Sequence, residues 1–223
     1  MMIEGYPNIN HAAISPTGDT LAVSFDEDKV QIYNMTTGKP GPLIRDFTLR
    51  VRHLDFSHDG QQLLTGGQTV KIWDTNTGTL LHALPSDTGW VEKAYFDKTN
   101  KNIHASYRVA QDDYYSSDFY CLDWSLENLE QTKRIDDCQI LDQSETKQDI
   151  IYRSKRHPET LKFLSDRTEV PTLLPFSSFE TPALAFNQQY TMYGNKKHLL
   201  SLDRQTNTSK YIETKELPGD SSD

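Results

Sequence analysis

Phe56-Ser57-His58-Asp59-Gly60, Leu63-Leu64-Thr65-Gly66-Gly67, Val70-Lys71-Ile72-Trp73-Asp74 and Thr77-Gly78 are short apolar runs punctuated by turn residues. Much of this text has already occurred once upstream. Ile14-Ser15-Pro16-Thr17-Gly18 matches the first run at an offset of 42. Val30-Gln31-Ile32-Tyr33-Asn34 matches the third, and Thr37-Gly38 the fourth, at an offset of 40. Downstream, Trp90-Val91-Glu92-Lys93-Ala94-Tyr95-Phe96-Asp97 follows residues 50–57 position by position. A repeat of this length cannot bury its own apolar face, so copies must pack side by side.

Within each copy the apolar residues alternate with a period of two, and helical periodicity is almost absent. The first unit reads as strands at His11–Ser15, Thr20–Ser24, Val30–Asn34 and near Leu43–Phe47. Pro16-Thr17-Gly18-Asp19 forms the first turn, where Pro presets φ and Gly accepts a positive one. The second unit reads Val51–Ser57, Gln62–Thr65, Thr69–Asp74 and Leu80–Leu84. The third reads Trp90–Asp97, Ile103–Val109, Phe119–Trp124 and Thr132–Ile135. The fourth reads Cys138–Leu141, Asp149–Ser154, Leu161–Leu164 and Val170–Leu174. The fifth reads Ala183–Phe186, Tyr190–Tyr193, His198–Asp203 and Ser209–Ile212. The expected units are residues 10–49, 50–86, 87–137, 138–178 and 179–216. Residues 1–9 offer one further short strand, and the Ser-, Asp- and Gly-rich residues 217–223 read as a disordered tail. Four strands per unit at this period point to propeller blades rather than to helical repeats.

The second unit, with the first close behind, resembles the WD-repeat β-propeller family. The resemblance implies an all-β fold of about five four-stranded blades and a non-catalytic binding platform. The family's Gly-His pair would fall at Asp46-Phe47 and near Ser86-Asp87, where no His stands. The buried His–Ser/Thr–Trp relay of the family is therefore expected to be incomplete, with Thr65 and Trp73 supplying two of its members. Five units are fewer than the seven blades common in the family. That leaves a closed five-bladed ring, blades donated by partners, or a fragment of a larger ring, with an incomplete propeller the favoured expectation.

Composition narrows the task further. The 223 residues carry a formal net charge of −9 and no Lys/Arg run longer than the pair Lys196-Lys197. That argues against phosphate-backbone partners. No apolar stretch is long enough to span a membrane, the N-terminus lacks a secretory pattern, and a cytoplasmic protein is expected. Cys121 and Cys138 have no redox or metal spacing and read as two reduced thiols. The sequon residues Asn34 and Asn207 then read as turn residues.

Catalytic templates are absent. The seven histidines form no ligand motif, and no His or carboxylate set converges at equivalent repeat positions. Gly66-Gly67 precedes a strand, so it reads as a tight reversal rather than a phosphate loop. Asp26-Glu27-Asp28 lacks calcium-loop spacing. No catalytic residue, cofactor or metal is expected.

A binding surface is the remaining reading. The segment Arg108–Asp118 reads as a long loop between second and third strands, carrying Tyr114 and Tyr115. Tyrosines give large contact area with few rotors to freeze. They could instead fold back on the neighbouring unit. Arg52 and Trp90 occupy the equivalent first-strand region, where Trp90 either caps the core or meets a ligand. Arg153, Lys155 and Arg156 occupy the matching loop of the fourth unit, as an anchor for an acidic partner or as a solvated loop. The expected function is a protein–protein interaction scaffold contacting a protein or peptide through Tyr114, Tyr115, Arg108, Trp90, Arg52 and Arg156. The alternative is a sensor or autoinhibitory segment of a larger signalling protein.

Overall fold

The computed structural model describes residues 9–25, 29–45, 50–86, 88–110, 117–143, 150–154, 161–163, 169–170, 183–186, 190–194, 198–203 and 208–213. Among these the regular structure is all strand, in five four-stranded sheets that follow chain order. Sheet 1 is β1 (Ile9–Ile14), β2 (Thr20–Phe25), β3 (Lys29–Asn34) and β4 (Pro40–Ile44). Sheet 2 is β5 (His53–Phe56), β6 (Gln62–Gly66), β7 (Val70–Asp74) and β8 (Leu80–Leu84). Sheet 3 is β9 (Trp90–Phe96), β10 (Asn102–Ala110), β11 (Ser117–Ser125) and β12 (Glu130–Asp136). Sheet 4 is β13 (Gln139–Gln143), β14 (Ile150–Arg153), β15 (Leu161–Phe163) and β16 (Glu169–Val170). Sheet 5 is β17 (Ala183–Phe186), β18 (Tyr190–Gly194), β19 (His198–Asp203) and β20 (Thr208–Glu213). Residues 1–140 form one compact unit and 141–223 another.

The turns repeat because their chemistry repeats. Ser15 Oγ accepts the Thr20 N–H at 3.0 Å and Ser57 Oγ the Gln62 N–H at 2.9 Å, while Asp97 Oδ1 accepts the Asn102 N–H at 3.2 Å. Gly18 and Gly60 adopt φ of 74° and 70°, and Asn100 takes the place of Gly60 with φ 57°. Asn is among the few side chains that enter this left-handed region at modest cost. Asn34 and Asp74 close the third-strand turns alike, each accepting the N–H and hydroxyl of Thr37 or Thr77. The sequon residue Asn34 thus ends β3 and closes the turn after it with its side chain; Asn207 lies outside the described residues.

Alternation along the strands sends the two faces of sheet 2 into different cores. Leu63 and Trp73 join Ala22, Val30, Ile32 and Ile44 between sheets 1 and 2. Leu64, Val70 and Ile72 join Val91, Phe96, Ile103 and Leu122 between sheets 2 and 3. A one-residue slip of β6 or β7 would exchange these sets and expose both, so register is fixed by burial.

The outer strand of sheet 1 begins earlier than the sequence suggests, at Pro40 instead of near Leu43. An edge strand tolerates prolines, which cannot donate to a ladder. The Gln31 Nε2 amide compensates by donating to the carbonyls of Gly41 and Pro42 at 2.9 and 3.1 Å. Gly66-Gly67 makes the expected tight reversal, with the Gly67 N–H donating to Thr69 O at 3.2 Å.

The partial relay exists in sheet 2: Trp73 Nε1 donates to Thr65 Oγ1 at 3.0 Å. In sheet 3 the matching tryptophan is Trp124, paired with Ile103 as Trp73 is paired with Leu63. Ala105 stands where Thr65 would be, and the buried Trp124 Nε1 has no hydrogen-bond partner among the described residues.

Cys121 and Cys138 are joined as a disulfide, which corrects the expectation of two reduced thiols. The chain passes through β12 and returns beside β11, where the Cys138 N–H donates to Phe119 O at 3.3 Å. This return leaves the two Cα atoms 5.4 Å apart, within bridging range. Spacing in the chain carries no trace of that adjacency, which the cross-strand path creates.

Candidate interaction surface

Three of the residues named from the sequence, Arg52, Trp90 and Arg108, meet at the end of sheets 2 and 3 where β9 begins and β10 runs out. The meeting depends on two glycines. The Arg52 N–H donates to Gly66 O and the Val91 N–H to Gly67 O, both at 2.7 Å. A Cβ on Gly66 would lie 2.7 Å from Val91 Cγ1 and 3.3 Å from His53 Cβ. Without a side chain there, β9 seats against the β6–β7 reversal and Trp90 arrives beside Arg52. Gly89, at φ 90°, would place a Cβ 2.3 Å from the Arg108 carbonyl oxygen, so only glycine lets this loop lie on β10.

A bulge sets which way Trp90 faces. Ser106 pairs with Lys93 and Tyr107 with Val91, leaving Glu92 as the extra residue on β9. The inserted residue returns Val91 to the core side with Ala94 and Phe96, all fully buried. Trp90 stays half-buried, directly opposite Arg108.

The resulting cluster is a tryptophan with a guanidinium on each of two neighbours. Arg52 Cζ lies 5.1 Å from the Trp90 ring centroid and Arg108 Cζ 5.7 Å. Trp90 Nε1 donates to Glu92 Oε1 at 2.9 Å, which locks the indole, and Arg108 Nη1 lies 3.8 Å from the same oxygen. Arg52 is exposed and has no carboxylate partner among the described residues. Glu92 thus serves Trp90 and Arg108, while Arg52 stands over the Trp90 ring without a carboxylate among the described residues. Cation–π contacts at such exposed sites contribute about 0.5–1 kcal/mol each, enough to bias rotamers but not to hold the fold.

Behind the cluster, Tyr107 and Tyr120 stack at 4.9 Å with 4° between planes, and Arg134 Cζ lies 4.2 Å from the Tyr120 ring centroid. The Tyr120 hydroxyl donates to Thr88 O at 2.7 Å, pinning the loop that delivers Trp90. These tyrosines prolong the ladder, so Arg108, Val109 and Ala110 pair with Phe119, Asp118 and Ser117. This corrects the reading of Arg108–Asp118 as one loop: both its ends are strand. Tyr114, Tyr115, Lys155, Arg156 and Asp26-Glu27-Asp28 lie outside the described residues. Arg153 lies on β14.

One constellation escaped the sequence reading, which found no converging histidines. His11 and His53 occupy equivalent positions of β1 and β5, with ring centroids 4.8 Å apart, and Tyr95 meets His53 edge-on at 4.6 Å. His53 Nδ1 accepts the Ala94 N–H at 3.4 Å. Burial, and then the charge of Lys93, lowers the His11 pKa from 6.5. The offset of 42 separates these histidines as it separates Ser15 from Ser57, so the repeat itself was the available signal. Among the described residues no group of His, Cys, Asp and Glu is placed to hold a metal. A cleft of about 330 Å³ at the opposite end of sheets 2 and 3 is lined by Gln62, His82, Asn100, Lys101, Leu126 and Glu127.

The family model described as WD domain, G-beta repeat matches residues 41–74. The THO complex subunit 6 homolog of Danio rerio is 29% identical over 80 residues, 35% of this chain and 25% of that protein. The solved structure of the RRP9 WD40 repeats matches with a TM-score of 0.69 at 10% identity, covering 94% of this chain and 65% of that one. The match thus spans a quarter of the curated relative and just under two thirds of the solved chain, and at such low identity the latter shows fold alone. The G-beta repeat pattern thus falls on strands β4 to β7, and the fold of the chain is similar to that of WD40 repeats.

Proposed function

We propose that the chain is a non-catalytic protein-interaction scaffold whose contact surface includes Arg52, Trp90 and Arg108. The observation that carries this reading is an exposed guanidinium laid on a locked indole ring, with no carboxylate of its own among the described residues. Trp and Arg dominate binding hot spots because they combine large area with directional donors. Here the indole is tied to Glu92 and the guanidinium groups are biased toward it, which lowers the ordering cost of association. The sheet scaffold supports the site from below without depending on it. The curated relative is named as a subunit of a complex, which supports membership in a multiprotein assembly.

The test is affinity capture from native extract with the wild-type chain and with Arg52→Ala/Arg108→Ala as baits, quantified by mass spectrometry. A protein recovered by wild type and lost with the double variant supports the assignment. Equal recovery of every captured protein by both baits removes this surface from the account.

A further inference from the structure

We infer that the Arg52–Trp90–Arg108 cluster recognises a carboxylate-bearing, acidic peptide segment, with Arg52 as the residue that grips it. This rests on the proposed binding surface and goes beyond it by naming the partner's chemistry. Two guanidinium groups stand over the Trp90 ring, and of these Arg108 has Glu92 within ion-pair distance. Glu92 is committed twice, to the Trp90 N–H at 2.9 Å and to Arg108 at 3.8 Å, and its distance to Arg108 is that of a loose pair. Arg52 has no such partner among the described residues. Its guanidinium carbon lies 5.1 Å from the indole centroid, and a carboxylate fits the planar fork of an arginine with two parallel hydrogen bonds. A positively charged or apolar segment would leave the Arg52 donors unanswered.

The chain as a whole is acidic, with a net charge of −9. The attraction must therefore act locally, within the roughly 8 Å Debye length of physiological salt. Recognition by short-range geometry rather than long-range steering is the consequence. Raising salt should weaken binding moderately.

The experiment uses the full chain and a fluorescein-labelled octaglutamate peptide, read by fluorescence anisotropy. Octaglutamine and an otherwise uncharged peptide with one phosphoserine serve as comparison probes. The expected result is binding of octaglutamate and not octaglutamine. Arg52→Gln should raise the dissociation constant about tenfold, the scale of one lost charge-assisted hydrogen-bonded contact. Arg52→Lys should fall between, keeping charge but losing the fork, and Lys39→Gln, on an exposed turn elsewhere, should change nothing. Unaltered melting of Arg52→Gln confirms that the fold is intact. Octaglutamate binding that Arg52→Gln leaves unchanged, or that Lys39→Gln weakens equally, overturns the inference. So does binding of the phosphoserine peptide alone. Loss of a native partner with the Arg52→Ala/Arg108→Ala bait, combined with no octaglutamate binding, would sink this chemistry while leaving the interaction surface standing. Retention of every native partner by that bait would sink the surface itself.

Discussion

In sheet 2, Trp73 hands its N–H to Thr65; in sheet 3, the same register holds Trp124 opposite a strand whose matching residue, Ala105, has nothing to accept with. Sheet 2 has middle strands of five residues that turn back at Gly66-Gly67. Sheet 3 has middle strands of nine, continued past that point by the Tyr107–Tyr120 stack. It also has the Cys121–Cys138 bridge. The residues nearest the family pattern therefore secure a sheet, whereas the departures from it extend one. The overhang carries Arg108 to Trp90, and the short neighbour leaves the space in which Arg52 joins them. The proposed binding surface lies where the repeat is broken.

The largest expected effect separates how the two sheets are secured. Replacing both Cys121 and Cys138 with Ser should cost roughly 3 kcal/mol of unfolding free energy, as for a closed loop of about 15 residues. Urea unfolding without reductant measures it. A variant as stable as wild type would mean that sheet 3 needs no staple. Next is the seam: Gly66→Ala should cost about 2 kcal/mol, because the new methyl group meets the β-branched Val91 and the backbone-tethered Cβ of His53. Pairing it with Val91→Ala should recover part of the loss, and an additive double variant would contradict that origin.

A smaller, more direct comparison exchanges the relay chemistry. Thr65→Val keeps the shape but strands the buried Trp73 N–H, at about 1–3 kcal/mol. Ala105→Ser gives Trp124 an acceptor and should gain up to about 1 kcal/mol. Thermal denaturation of the two variants should shift in opposite directions, and a shared direction would break the equivalence of the two positions.

The smallest effect concerns pH. His11 is half-buried, and this desolvation, with the charge of Lys93, holds its folded pKa below the ordinary 6.5. The stability tied to its neutral ring is complete above that value and is lost as pH falls through the folded one. Between pH 7.5 and 5, wild type should therefore lose more unfolding free energy than His11→Gln. Parallel curves would show that His11 does not contribute.

Sequence alone made the strands legible because the repeat turns use side chains with unambiguous preferences. Leu80–Leu84, Ala183–Phe186 and His198–Asp203 were bounded to the residue. The edge strand at Pro40 was misplaced because side-chain amide bonds from Gln31, not backbone propensity, hold it. Arg52, Trp90 and Arg108 could be nominated from equivalent positions in the repeats. Their mutual contact could not, since it needs the Glu92 bulge and the missing side chains of Gly66 and Gly89. The disulfide and the His11–His53 contact arise from adjacency across strands or sheets, which single-chain spacing does not encode.

The claim that stability and binding occupy different residues is tested most directly by the unfolding free energy of Arg52→Ala/Arg108→Ala, measured in urea beside Thr65→Val. The account predicts a loss within about 1 kcal/mol for the double variant, the scale of exposed cation–π contacts and a surface ion pair. A loss larger than that of Thr65→Val would make the cluster part of the fold's support and contradict the division.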